Sequence, residues 1–195
     1  MYKVYGKVAT RAFRVLWALE EMGLDYTLIE SSPQSDAIRE VSSLGKIPVL
    51  EVDGTYLTDS VAIMTFLADR HGQLTYPAGS LDRARQDGFT ERVNDEFDSP
   101  LWIATRHANL LPEKKRVPEI VPSASAEFGR NLARLAKAFD GPFLMGEQMT
   151  IADILLGHCL GWGMVMEFPI EEHVMKPYFK RLRDRPAYKA ARAPK

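Results

Sequence analysis

The stretch Leu44–Ile63, LGKIPVLEVDGTYLTDSVAI, decides the fold. Its pattern predicts a strand over Val49–Val52, a turn at Asp53-Gly54, a second strand over Thr55–Leu57 and a helix from Ser60 to about Arg70. Ile47-Pro48 stands at the mouth of the first strand, where proline is tolerated because it need not donate to the ladder, and an X-Pro bond can be cis at modest cost. Asp59-Ser60 brings polar side chains to a helix start, whose first N–H groups lack intrahelical partners, so the pair suits a carboxylate. A backbone edge presented by proline beside an anion site is a means of holding a small peptide.

Toward the N-terminus, Tyr2–Gly6 and Tyr26–Glu30 read as strands. Between them Arg11–Met22 reads as a helix, with Ala12, Val15, Leu16, Leu19 and Met22 on one face and Gly23 as its stop. Ser35–Ser43 reads as a short polar helix. The order βαβ, α, ββα implies a mixed sheet, with one parallel pair from a right-handed crossover and an antiparallel hairpin. Two glycines and a proline in HGQLTYPAGSLD, from His71 to Asp82, then mark a linker.

Beyond the linker the pattern is helical. Helices are expected over 83–111, as one or two segments bent near Ser99-Pro100, and over 123–139, 150–166, 174–184 and 187–192. The third of these opens on Thr150, with Asp153 to complete a capping box and Met149 and Ile154 to form a hydrophobic staple. The expected organisation is an α/β domain over 1–72, a linker over 73–82 and an all-helical domain over 83–195.

A formal charge of −1, with acids and bases well mixed, argues against a dedicated nucleic-acid or membrane-surface role. The one basic run, Lys114-Lys115-Arg116 between Pro112 and Pro118, reads as a solvated loop. A single cysteine, Cys159, excludes an internal disulfide and suits a reducing compartment. With no signal pattern at Met1 and no apolar stretch of bilayer length, a cytoplasmic location is expected. Histidines 71, 107, 158 and 173 lack metal-ligand spacing, so no metal is expected.

Six motifs together carry a resemblance. YKVYGKVATRAFRVLWALEEMGLDYTLIE, GKIPVL, TDSVAI, YPAGSLDRAR, FLMGEQMTIADILL and YFKRLRDRPAYKAA, in this order and spacing, resemble the cytosolic glutathione transferases over nearly the whole chain. The resemblance implies a thioredoxin-like N-terminal domain that binds glutathione, an all-α C-terminal domain that shapes an electrophile pocket, and a homodimer. It implies that the Ile47 main chain, beside cis-Pro48, bonds the cysteinyl backbone of glutathione. Asp59 and Ser60 would hold its γ-glutamyl end, and Lys46 would meet the glycyl carboxylate. Val8, Trp102, Ile103 and Arg106 would line the electrophile pocket.

Chemistry in such a site means lowering the pKa of the glutathione thiol, because thiolate is the nucleophile. The family places a Ser or Cys in the loop after the first strand. Here that loop is Lys7-Val8-Ala9-Thr10-Arg11, and Thr10 is its only hydroxyl. Thr10 is a thiolate donor or simply a helix N-cap. Tyr5 is the rival, either a catalytic tyrosine as in other classes or an ordinary strand tyrosine. Arg11 could add positive potential near sulfur or face solvent. The expected activity is conjugation of glutathione to small hydrophobic electrophiles. The alternatives are a glutathione-dependent isomerase, dehalogenase or peroxidase, or a non-catalytic glutathione-binding module.

Overall fold

The structure, a computed structural model, describes residues 1–170 and 173–194. Its elements are β1 (Tyr2–Gly6), α1 (Ala12–Glu21), β2 (Tyr26–Glu30), α2 (Asp36–Val41), β3 (Val49–Val52), β4 (Thr55–Thr58), α3 (Ser60–His71), α4 (Leu81–Val93), α5 (Ser99–Thr105), α6 (Ile120–Ala138), α7 (Ile151–Val165), α8 (Met175–Asp184) and α9 (Pro186–Arg192). They fall into two compact units, Met1–Arg83 together with Arg183–Lys195, and Ala84–Leu182.

The first unit is built on a four-stranded mixed sheet of order β2-β1-β3-β4, the thioredoxin-like arrangement. β1 and β2 run parallel in register Tyr2↔Tyr26, and β3 is antiparallel to both β1 and β4. The β3–β4 turn has positive φ at both central residues, +51° at Asp53 and +77° at Gly54, so the Asp-Gly pair makes the primed turn that suits the twist of a hairpin.

α1 departs from the expected one-sided helix. Ala12 through Leu19 are all buried, since the helix packs against the sheet, α3 and the distant α9. Tyr188 of α9 meets Phe13 and Trp17 edge-on, with centroids 5.1 and 4.9 Å apart. Arg185 grips Glu21 through two hydrogen bonds of 2.6 and 2.7 Å, a bidentate pair that fixes the end of α1 to the start of α9. The last helix, which the sequence pattern groups with the helical half, thus belongs by packing to the α/β unit.

In the second unit the expected bend at Ser99-Pro100 coincides with a π-helical turn over Asn94–Asp98. Proline lacks an N–H and crowds the carbonyl four residues back, and a widened turn just before it removes that conflict. A second π-helical turn, Arg106–Leu110, follows α5. Arg116 closes this run by donating to the carbonyls of Leu111 and Asn109, at 2.8 and 3.0 Å. α6 starts at Ile120, ahead of the expected Ser123, because Pro122 falls in a first turn whose N–H groups are unpaired anyway. Phe128 joins the core to Phe97 and Phe168, with ring centroids 5.4 and 5.5 Å apart.

α7 is anchored by Asp153, which is fully buried. Its Oδ1 accepts from the Leu144 N–H and the Tyr178 hydroxyl, at 2.8 and 2.9 Å, and its Oδ2 from the N–H and hydroxyl of Thr150, at 2.8 and 3.2 Å. Met149 and Ile154, the staple positions, are both buried. Among the described residues no helix is long and apolar enough to cross a membrane.

Candidate active site

The ends of three segments meet at Gly6. A Cβ built there would lie 2.5 Å from the Cβ of Ala12 and 3.8 Å from that of Ile47, so only glycine lets the start of α1 close against the strand end. Gly6→Ala is expected to cost about 2 kcal/mol by forcing α1 away. The check is a lowered urea midpoint with unchanged m-value.

Ile47-Pro48 is cis. Pro48 is buried, Ile47 half-buried and Lys46 exposed. β3 begins only at Val49, and neither the N–H nor the C=O of Ile47 makes a hydrogen bond among the described residues. Ile47 therefore offers an unpaired main-chain donor and acceptor just before the proline, as required for pairing with a short extended peptide.

Asp59 is the N-cap of α3, at φ +71° and ψ +126°, a conformation costly for a side-chain-bearing residue. Its Oδ1 accepts from the N–H groups of Val61 and Ala62, at 2.8 and 3.1 Å. The helix N-terminus is therefore less open than the bare sequence suggests, since Asp59 itself takes two of its N–H groups. What remains is Oδ2 of Asp59, which accepts nothing among the described residues, and the polar groups of Ser60.

Ser60 is buried, and its Oγ accepts from Nη1 of Arg14 at 3.2 Å. Arg14, 1% exposed, is the residue that the sequence pattern misses. Its signal was there: AFRVLWAL, Ala12–Leu19, is an apolar run with one charge in it, and a charge so placed is buried only with polar partners.

Thr10 does two things at once. Its Oγ1 accepts from the N–H of Ala12 at 3.2 Å, supporting the first turn of α1, and donates to the Lys7 carbonyl at 2.7 Å. Arg11 and Val8 beside it are half-buried. Tyr5 points its hydroxyl elsewhere, donating to Glu51 at 2.8 Å, while Lys3 pairs with the other oxygen of Glu51 at 2.9 Å. That hydrogen bond, then burial, pushes the Tyr5 phenol up to about 12. Lys3 and then Tyr5, by their hydrogen bonds, pull the Glu51 carboxyl below its ordinary value.

A pH dependence follows. The unfolded chain releases the Tyr5 proton near 10 and the folded chain holds it to about 12. The contact thus contributes stability that is complete below the unfolded value and lost as pH climbs through the folded one. Tyr26 and Tyr178 are raised as well, so phenolate absorbance is expected to show several late tyrosine steps, of which the Tyr5 step alone shifts toward 10 in Glu51→Gln. A step that ignores Glu51 would contradict the assignment.

The remaining expected site residues lie in the second unit. Trp102 is partly exposed and Ile103 half-buried on α5, and the Arg106 guanidinium lies 5.9 Å from the Trp102 ring centroid in the following π-helical turn. Next to them Trp162 of α7 donates to the Thr105 hydroxyl at 3.0 Å.

Known proteins are similar to this chain in sequence and fold. Residues 10–70 match the family described as glutathione S-transferase, N-terminal domain. The glutathione S-transferase GstA of Escherichia coli O157:H7 is 30% identical over 183 residues, covering 86% of each chain. The chain belongs to the glutathione S-transferase family. Among solved structures, the theta class glutathione S-transferase of Xanthomonas axonopodis pv. citri, crystallised with glutathione bound, is 26% identical with a TM-score of 0.81 and covers 100% of this chain and 98% of its own. Gtt2 of Saccharomyces cerevisiae, 19% identical with a TM-score of 0.86, covers 97% of this chain and 99% of its own and shares the fold. In this glutathione S-transferase family member the segments carrying Thr10, Ile47 and Ser60 all belong to the α/β unit.

Proposed function

We propose that the chain binds glutathione in its α/β unit and conjugates the cysteinyl thiolate to small hydrophobic electrophiles. The observation that carries this reading is the unpaired main chain of Ile47 beside cis-Pro48. In the proposed complex it pairs with the cysteinyl backbone of glutathione. Asp59 Oδ2 takes the γ-glutamyl ammonium, Ser60 the γ-glutamyl carboxylate, and Lys46 the glycyl carboxylate. Lys46 is an exposed point charge able to reach a carboxylate in water.

Thr10 stabilises the thiolate. Its single hydrogen rests on the Lys7 carbonyl, and rotation about Cβ–Oγ exchanges that neutral bond for a charge-assisted one to sulfur. The Ala12 N–H donates to Oγ1 in either orientation, so the capping and catalytic roles coexist. Arg11 adds positive potential at the same loop. Tyr5 is the weaker candidate because its proton is already held by a carboxylate. Trp102, Ile103 and Arg106, with Val8, are assigned to the electrophile on the resemblance. Family membership also supports a homodimer, which sedimentation velocity reads directly.

The test is conjugation of glutathione to chlorodinitrobenzene, followed by thioether absorbance and backed by calorimetric binding of glutathione. Binding with conjugation is expected. Binding without turnover on any electrophile would move the chain to the non-catalytic reading, and failure to bind glutathione would remove the proposal.

A further inference from the structure

Gln34, in the loop before α2, has a left-handed backbone with φ +64°. That conformation costs a side-chain-bearing residue energy and persists only where the surroundings hold it. What holds it is the run that leads to cis-Pro48. The Gln34 N–H donates to the Gly45 carbonyl at 2.8 Å, and Nε2 donates to the Leu44 and Gly45 carbonyls at 3.0 and 3.2 Å. From the other side Arg39 of α2 donates through Nε to the Gln34 carbonyl and through Nη2 to its Oε1, both at 3.2 Å. Oε1 meets a donor and Nε2 meets two acceptors, so the amide has one orientation and every polar group of Gln34 is engaged.

Gly45 fits this arrangement. In an extended strand successive residues face opposite sides. Leu44 and Gly45 instead turn both carbonyls toward Gln34, and Gly45 has φ +62°, which glycine adopts without penalty. A Cβ on Gly45 would lie 2.7 Å from the Gln34 amide. The Gly45 N–H donates to the Ser42 carbonyl at the end of α2, at 2.9 Å. The direction in which the chain leaves Gly45, toward Lys46 and Ile47, is thus held by one glutamine.

Resting on the glutathione reading above, we infer that Gln34 is a positioning residue for the peptide edge: its side-chain bonds to the Leu44 and Gly45 carbonyls set the path of Lys46 and Ile47 before the peptide arrives. It acts through the loop. An edge already in place saves the ordering that binding would otherwise require, so the effect falls on affinity. Thr10 stands on a different loop, and ionisation of the bound thiol is independent of Gln34.

The experiment is calorimetric binding of glutathione to two variants, with the thiolate band read at equal occupancy. Gln34→Glu keeps the size, the main-chain N–H and the acceptor for Arg39, and turns the donor that faces the two carbonyls into an acceptor. Gln34→Met, of similar length and neutral, removes that donor without adding a charge that could repel an anionic peptide. Both are expected to raise Kd by roughly five- to tenfold, the scale of a lost hydrogen bond, and to leave the thiolate band unchanged. A Kd raised only in Gln34→Glu would reflect charge repulsion and overturn the assignment. A side chain needed only for stability would lower the urea midpoint and leave the Kd of the folded protein unmoved, which overturns it too. So does a thiolate band lost at equal occupancy. No glutathione binding by the unaltered chain overturns the reading beneath.

Discussion

Asp153→Ala is expected to destabilise the second unit by about 3–5 kcal/mol, close to the whole stability of many domains. Four donors converge on this carboxylate: two N–H groups, from Leu144 and Thr150, and two hydroxyls, from Thr150 and Tyr178. Burial pushes the Asp153 carboxyl up, and those donors pull the other way. Tyr178, buried and bonded to the carboxylate, holds its own proton well above the ordinary range. Alanine would leave all four donors buried and unpaired, and each costs more when orphaned than it contributed when bonded. Tyr178→Phe removes one donor together with its bond and is expected to cost only about 1 kcal/mol. Urea unfolding followed by circular dichroism separates the two. Equal losses would mean that Asp153 is not the hub.

The second large effect is on chemistry. Thr10→Ala is expected to lower kcat/KM for conjugation by roughly ten- to a hundredfold, the range for losing a hydrogen bond to a charged group. The loss should fall on kcat, because the hydroxyl acts on the thiolate and the peptide is held by Ile47, Asp59 and Ser60. Thr10→Ser restores a hydroxyl with a freer rotamer and is expected to keep most of the rate. Some loss of stability accompanies Thr10→Ala, since the Ala12 N–H loses its acceptor. A fall in kcat matched by Thr10→Ser, which keeps both the hydroxyl and the acceptor for the Ala12 N–H, would mean that the hydroxyl is not what the rate depends on.

What the sequence made legible was local. The turn at Asp53-Gly54, the proline before β3 and the Thr150 cap depend on residues a few positions apart, and each lies where its pattern put it. Expectations failed where distant segments decide. α1 reads as one-sided until α9 arrives from the far end of the chain and covers its other flank, taking Phe13 and Trp17 inside. The long helix was legible, but its two π-helical turns were not, because a one-residue widening leaves the apolar period almost unchanged. At the site, the residue types at Thr10, Ile47, Asp59 and Ser60 were readable from the motifs. Their hydrogen-bond commitments were not. Nothing in TDSVAI says that Asp59 caps its own helix with one oxygen and keeps the other, or that a buried arginine donates to Ser60.

The account turns on one claim, that this chain binds glutathione and ionises its thiol. The direct measurement is the ultraviolet thiolate band of glutathione in complex with the protein at neutral pH, with free glutathione, whose thiol has an ordinary pKa of about 8.5, as reference. The account predicts a thiolate band in the unaltered chain and a much weaker one in Thr10→Ala at equal occupancy. Bound glutathione with its thiol still protonated in the unaltered chain would contradict it.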